Sequence, residues 1–235
     1  MVIRAAQARG LVVAAQIEPY EGRSAATVEA DVAHLRELGV TRFYVYRPFE
    51  IDDASWAALN DRLTGVQVLA QTGNVSRAAA DRFDGVYTYD ILRYGPWSFA
   101  RLCKKARAAH LVCAPSVGPG YEAARATGDT RVVRRRDGAA YDAMWQAAVA
   151  AGADRVTITS YNEWHEGTQI EPALPPASRR LGASPVERAY SSYDGAYGLT
   201  GRAAERAYLT RTAVWTRVFG LVREAVRALG FLAGG

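Results

Sequence analysis

Short β-branched or aromatic runs, most of them separated by helix-like segments, are the feature that most restricts what this 235-residue chain can fold into. The runs predict strands at Leu11 to Ile17, Arg42 to Tyr46, Val66 to Gln71, Gly85 to Tyr89, Leu111 to Val117 and Arg155 to Ser160. Helical patterns lie between them at Ala25 to Leu38, Ala54 to Leu63, Ser76 to Arg82, Trp97 to Ala109 and Ala139 to Ala151, with Gly39, Gly65 and Gly152 at the expected stops. Parallel strands need a crossover of a dozen or more residues, usually a helix, so this alternation predicts parallel βα units.

Polar and aromatic residues stand at or just beyond the apolar part of several strands: Glu18, Tyr20, Tyr46, Tyr87, Tyr89, then Tyr121 after a Gly-Pro-Gly turn, then Glu163 and Glu166. In a (β/α)₈ barrel all strand ends meet around one axis at the C-terminal face, so the layout predicts an α/β barrel enzyme whose pocket these residues line. Six strands are legible where closure needs eight, and an open barrel of six leaves unpaired edges. Residues 1–201 are read as the barrel portion. It ends in a loop from Pro172 to about Gly201 that is rich in Pro, Ser, Gly and Arg. Residues 202–235 carry an amphipathic pattern, Arg202 to Leu229, predicted to pack on the outside of the barrel; a basic helix lying on a membrane surface is the other reading.

Composition sets limits on partners. The charge of +5 comes almost wholly from scattered arginine, since Lys104 and Lys105 are the only lysines. The one dense cluster, Arg131 to Arg136, has no nucleic-acid-binding motif beside it, so it reads as a solvated face or loop and nucleic acid is not expected as a partner. No stretch of about 18 apolar residues predicts a membrane span. Met1 to Gly10 reads as a short Ala-rich helix rather than a signal peptide. Cys103 and Cys113 lie in apolar surroundings without a CxxC pattern, which predicts buried free thiols.

The chemistry concentrates in Thr159-Ser-Tyr-Asn-Glu-Trp-His-Glu-Gly-Thr-Gln-Ile-Glu171. On an extended strand Glu163 and Glu166 would face opposite sides. If the strand ends near Asn162 and the chain turns near Gly167, they become i and i+3 neighbours with Cβ atoms roughly 5–6 Å apart. Carboxylates about 5–5.5 Å apart suit a glycosidase that retains anomeric configuration. A close second carboxylate also raises the pKa of the one that must stay protonated. Trp164 offers a flat face to a sugar ring or belongs to the core. His165 orients a neighbour or is a satisfied buried histidine. Glu163, His165 and Glu166 could also hold a metal, but no second histidine at helical spacing supports that, and no metal or other cofactor is expected.

This motif resembles the signature of glycoside hydrolase family 99, the endo-α-1,2-mannosidases and bacterial endo-mannanases, in which phenylalanine is usual at Tyr161. Ile17-Glu-Pro-Tyr-Glu-Gly-Arg23, Phe83-Asp-Gly-Val-Tyr-Thr-Tyr89 and Pro115-Ser-Val-Gly-Pro-Gly-Tyr121 are similar to family stretches in order and spacing. The resemblance implies a (β/α)₈ barrel that cleaves internal α-mannosidic linkages with retention, on an oligosaccharide or polysaccharide containing α-mannose. It implies Glu163 as the base acting on the sugar 2-hydroxyl to give a 1,2-anhydro intermediate, and Glu166 as general acid and then base. By the same analogy Glu18, Tyr20, Tyr87, Tyr89 and Asn162 line the mannose subsites and Arg135 matches a substrate-contacting arginine; Tyr121, by its place after a strand end, and Trp164 and His165, by theirs in the motif, are expected to contact substrate too. Gln16 stands where histidine is common, and Arg47 where aspartate is usual. The family's first two strands have no counterpart here: Met1 to Arg9 resembles the tail of the second helix and Leu11 to Ile17 the third strand. A catalytically inactive carbohydrate-binding remnant is therefore the alternative expectation.

Overall fold

The computed structural model describes residues 2–173 and 192–232. Two compact units divide them: residues 1–89, 101–115 and 153–157 form the first, and 90–100, 116–152 and 158–235 the second.

In the first unit, helix α1 (Val2–Gln7) precedes strands β1 (Ala15–Ile17), β2 (Arg42–Val45), β3 (Gln67–Gln71), β4 (Gly85–Tyr87) and β5 (Val112–Ala114). These five pair in sequence order, and every neighbouring pair is parallel. Helices α2 (Ala25–Glu37), α3 (Asp53–Arg62) and α4 (Val75–Ala80) connect the first four strands, and α5 (Pro96–Ala108) leads into β5. Local chemistry starts each crossover. The Ser24 and Thr27 hydroxyls each accept from the other's amide at the head of α2. Asp52 and Asn74 side chains accept from the amides of Ser55 and Arg77. Each bond satisfies an amide that a helix start leaves unpaired.

Strand residues alternate between two buried faces, as helix-covered parallel sheets require. Phe43, Val45, Val68, Ala70, Val86 and Cys113 are at most 2% exposed and point one way. Leu69, Tyr87 and Ala114 point the other way, where Tyr44, Tyr89 and Val112 pack against them. Gly85 has no room for a side chain: a Cβ there would lie 2.6 Å from the Val112 carbonyl oxygen.

Four expectations are corrected. The run Leu111 to Val117 is two strands, β5 and β6 (Ser116–Val117), because Pro115 between them has no amide to donate to a ladder. The sixth run is reduced to β9 (Thr157–Ile158), which pairs with β6 and not with the five-stranded sheet. Cys103 and Cys113 are not free thiols but a disulfide. The α5–β5 connection brings their Cα atoms to 5.2 Å, inside the bridging range, a proximity that neither cysteine's own sequence surroundings reveal. The cluster Arg131 to Arg136 is only partly a solvated loop: Val132–Val133 is strand β8, antiparallel to β7 (Tyr121–Glu122), and Arg135 is half-buried.

The second unit also contains α6 (Ala124–Thr127), α7 (Ala139–Ala150), α8 (Gly201–Ala204) and α9 (Ala207–Leu232). The expected helix from Arg202 is thus two pieces, α8 and α9. Most of the expected Pro172–Gly201 loop lies outside the described residues. Asp142 on α7 ties down α9, accepting from the Arg211 guanidinium at 2.6 and 2.7 Å and from the Trp215 indole at 2.7 Å. Trp145 and Trp215 stack with rings nearly parallel. Among the described residues no helix is long and apolar enough to cross a membrane.

Candidate functional site

The segment after β9 does not continue as a strand. Ser160 accepts the Glu163 amide on its Oγ at 2.9 Å, the bond by which a serine caps a helix start. At the other end Gly167 takes φ +66°, its amide donates to the Trp164 carbonyl, and the Thr168 amide reaches back to the Glu163 carbonyl. This pair of bonds around a left-handed glycine is the closure that ends an α-helix. One isolated turn is therefore capped at both ends, and it places Glu163 and Glu166 at i and i+3 of a helical arc rather than on opposite faces of a strand. The Ser160 hydroxyl also meets the Thr168 hydroxyl at 2.8 Å, joining the two feet of the turn.

The turn is held to its surroundings chiefly through the backbone. The Glu166 carbonyl accepts the Glu122 amide at 2.8 Å, fastening the turn to β7. Gly167 sits so close that a Cβ would lie 2.9 Å from that same Glu122 nitrogen. Arg135 fixes the far side: one Nη donates to the Gly167 and Gln169 carbonyls at 2.9 and 2.8 Å. Its guanidinium lies over the rings of both Tyr193 and Tyr208, 5.1 and 4.7 Å from their centroids. Tyr193 adds hydrogen bonds from its hydroxyl to the carbonyls of Gln169 and Glu171. Burial pushes the Tyr193 and Tyr208 phenols up from their ordinary pKa, so both are uncharged beside the arginine.

Side chains on the turn divide in role. Glu163 and His165 are exposed, Glu166 and Trp164 half-buried. The Trp164 indole donates to a Glu171 carboxylate oxygen at 2.7 Å, which fixes its ring. Neither Trp164 as core nor His165 as a buried histidine describes the structure. Glu163, His165 and Glu166 form no metal-holding group among the described residues. A cavity of about 640 Å³ opens beside the turn, lined among others by Tyr121, Arg135, Trp164 and His165. Neither glutamate is among its lining residues, but the Glu166 charge acts on Tyr121: burial first, then the hydrogen bond to Asp129, then Glu166, raise the Tyr121 pKa. Asn162 lies on the exposed approach to the turn.

Glu18, Tyr20, Tyr87 and Tyr89 belong to the first unit. Tyr87 packs edge-on to Tyr44 at 5.1 Å and Tyr89 to Tyr46 at 5.4 Å, a tyrosine ladder across the strand ends. The Tyr87 hydroxyl is buried without a hydrogen-bond partner, and burial, with the Glu18 charge next, raises its pKa. Glu18 is exposed and accepts from the Gln16 amide group. Tyr20 donates to Asp31 at 2.7 Å.

Three residues that matter to this architecture are absent from the sequence-based set. The Arg23 side chain is only 3% exposed and bonds the carbonyls of Tyr46 and Arg47 and the Glu50 carboxylate. Glu171 anchors the indole, and Tyr193 anchors the chain after the turn. Arg23 and Glu171 lie inside the quoted motifs, so position could have flagged them; Tyr193 had no signal.

Known proteins fit this arrangement. The sequence model of glycosyl hydrolase family 99 matches residues 1–220. The glycoprotein endo-alpha-1,2-mannosidase-like proteins of Danio rerio and Homo sapiens are each 29% identical over 211 residues, 74% of this chain and 47% and 46% of theirs. The chain thus spans about half the length of the curated relatives it matches. The solved family 99 endo-alpha-mannosidase of Bacteroides thetaiotaomicron, in complex with bis-tris-propane, superposes with TM-score 0.79 at 28% identity over 95% of this chain and 74% of that one. The parallel units described above are accordingly of the (β/α)₈-barrel class.

Proposed function

Because this chain belongs to glycosyl hydrolase family 99, we propose that it is a retaining glycoside hydrolase that cuts internal α-mannosidic linkages. The observation that carries this reading is the doubly capped turn from Ser160 to Thr168, which sets two glutamates three residues apart beside a fixed indole. The names of its relatives supply the α-mannose specificity.

The Glu163 carboxylate takes the proton of the mannose 2-hydroxyl while O2 attacks C1. The bond from C1 to the leaving oxygen breaks, and the Glu166 carboxyl gives that oxygen its proton. Water then opens the 1,2-anhydro ring at C1, losing its proton to Glu166, and O2 regains the proton held by Glu163. Two inversions at C1 leave the configuration retained. Arg135, tied to the carbonyls on both sides of Thr168, positions the turn, while Tyr121, Trp164 and His165 provide contacts around it and Asn162 a polar edge. In the first unit, Glu18, Tyr20, Tyr87 and Tyr89 are assigned mannose contacts by the family analogy.

The test is turnover of a defined α-1,2-linked manno-oligosaccharide by the chain and by Glu163→Gln and Glu166→Gln. Each substitution removes proton transfer and is expected to cost roughly 10²–10⁴-fold in kcat, with Tm unchanged. Cleavage that survives both substitutions would exclude the assignment. Binding without any product from the unsubstituted chain would make it a carbohydrate-binding domain instead.

A further inference from the structure

The cavity beside the turn carries more positive charge than binding neutral mannose requires. Arg125, Arg134, Arg135 and Arg136 line it, with Glu122 as the only carboxylate among the described lining residues. Asp129 nearby does not offset them. It is engaged by the Arg131 guanidinium at 2.6 and 2.9 Å, and that pairing holds its carboxyl well below the usual range. Arg125, Arg134 and Arg136 are exposed, and among the described residues their side chains form no ion pair or hydrogen bond. The fold holds this run in place at a cost. Arg136 and Asp137 take φ of +50° and +52°, left-handed values that strain residues bearing a Cβ. Gly138 follows at φ +98°, pressed so close to the Tyr197 ring that a Cβ would lie 2.4 Å away.

We propose that this cavity is a subsite for a negatively charged glycan residue, a sugar bearing a carboxylate or a phosphate ester, presented next to the linkage that is cut. The inference rests on the hydrolase reading and extends it to substrate class. Its volume of about 640 Å³ lies within the range of small-ligand sites, enough for a sugar ring and its substituent. Trp164 supplies the apolar face for the ring. Guanidinium groups supply the forked donors that pair with carboxylate and phosphate oxygens. Trp164 and His165, which line the cavity, stand between Glu163 and Glu166 in the sequence, so the cavity adjoins the turn that carries the two glutamates.

The experiment measures binding of three probes to the full chain carrying Glu166→Gln, so that no probe is consumed: a neutral manno-oligosaccharide, its 6-phosphate, and its analogue with a terminal glucuronic acid. At low salt at least one acidic probe is expected to bind about tenfold tighter than the neutral one, and this advantage should shrink as salt screens exposed charge. Arg134→Gln with Arg136→Gln should abolish the advantage while leaving neutral binding and Tm unchanged. Preference for the phosphate or for the uronate identifies the natural group, and equal preference supports a shared carboxylate and phosphate subsite. Equal affinity for all three probes, or an advantage that persists in the double variant, overturns the proposal. The two readings fail separately. Cleavage of the neutral probe without acid preference keeps the hydrolase and removes the subsite. Arginine-dependent acidic binding, with no probe cleaved by the unsubstituted chain, does the reverse.

Discussion

The two units reach order by different means. In the first, order comes from repetition: five parallel strands, each in register with the next, with alternate residues buried on both faces. In the second, around the turn, order comes from single side chains bonding single backbone groups: Ser160 to the Glu163 amide, Arg135 to two carbonyls, Tyr193 to two more. A periodic framework spreads its stability over many small contacts. A turn fastened at a few points concentrates its dependence on those points.

That contrast can be attacked at once in the first unit. Trp56 is fully buried against Phe83 and donates its indole proton to the Pro48 carbonyl at 2.6 Å. Trp56→Ala is expected to cost about 4 kcal/mol in chemical unfolding; a loss below 1 kcal/mol would show that the framework is not close-packed. Reduction of the Cys103–Cys113 bond, closing a loop with a sequence separation of 10, should remove about 3 kcal/mol on a chain-entropy basis. A reduced protein with unchanged midpoint would sink that estimate. Gly167→Ala should behave oppositely. Left-handed strain costs about 1–2 kcal/mol, and the new Cβ meets the Glu122 amide, so kcat should fall by a larger factor than stability does. Equal, small effects on both would mean that the turn's geometry is not critical.

The smallest effect concerns pH. The folded pKa of Asp129 is depressed, so the pairing contributes stability above the ordinary aspartate pKa of about 4 and loses it as pH falls through the folded value. The protection factor of the hydrogen-bonded β8 amide, taken relative to the intrinsic exchange rate at each pH, should fall on acidification below about pH 4, and Asp129→Asn should abolish that dependence. An unchanged acid profile in the variant would show that the pair does not hold the β7–β8 hairpin.

Legibility from sequence followed the same division. All six strand runs and the five helices between them appear in the structure, because period-2 and period-3.6 patterns are local and survive into the fold. The strand ends that moved did so inward, by one to four residues, since a strand stops where hydrogen-bonding partners stop, and a partner belongs to another part of the chain. The run at Leu11 shows this: Leu11 and Val12 are apolar yet 62% and 72% exposed, and β1 begins only at Ala15. The hairpin of β7 and β8 was unreadable, its strands being two residues each and one of them hidden inside an arginine cluster. The bend after β9 was readable because Ser160, Glu163 and Gly167 are a cap, its third residue and a left-handed stop, all within eight positions.

By itself the sequence determined the order of parallel units, the family resemblance and the turn that carries the two glutamates, because each depends on residues close together in the chain. Only the tertiary structure decided the rest. It paired Cys103 with Cys113, made Arg135 a brace for the turn and left its neighbouring arginines facing a cavity. A side chain's partner is set by which distant segments fold against it, and no local pattern encodes that distance.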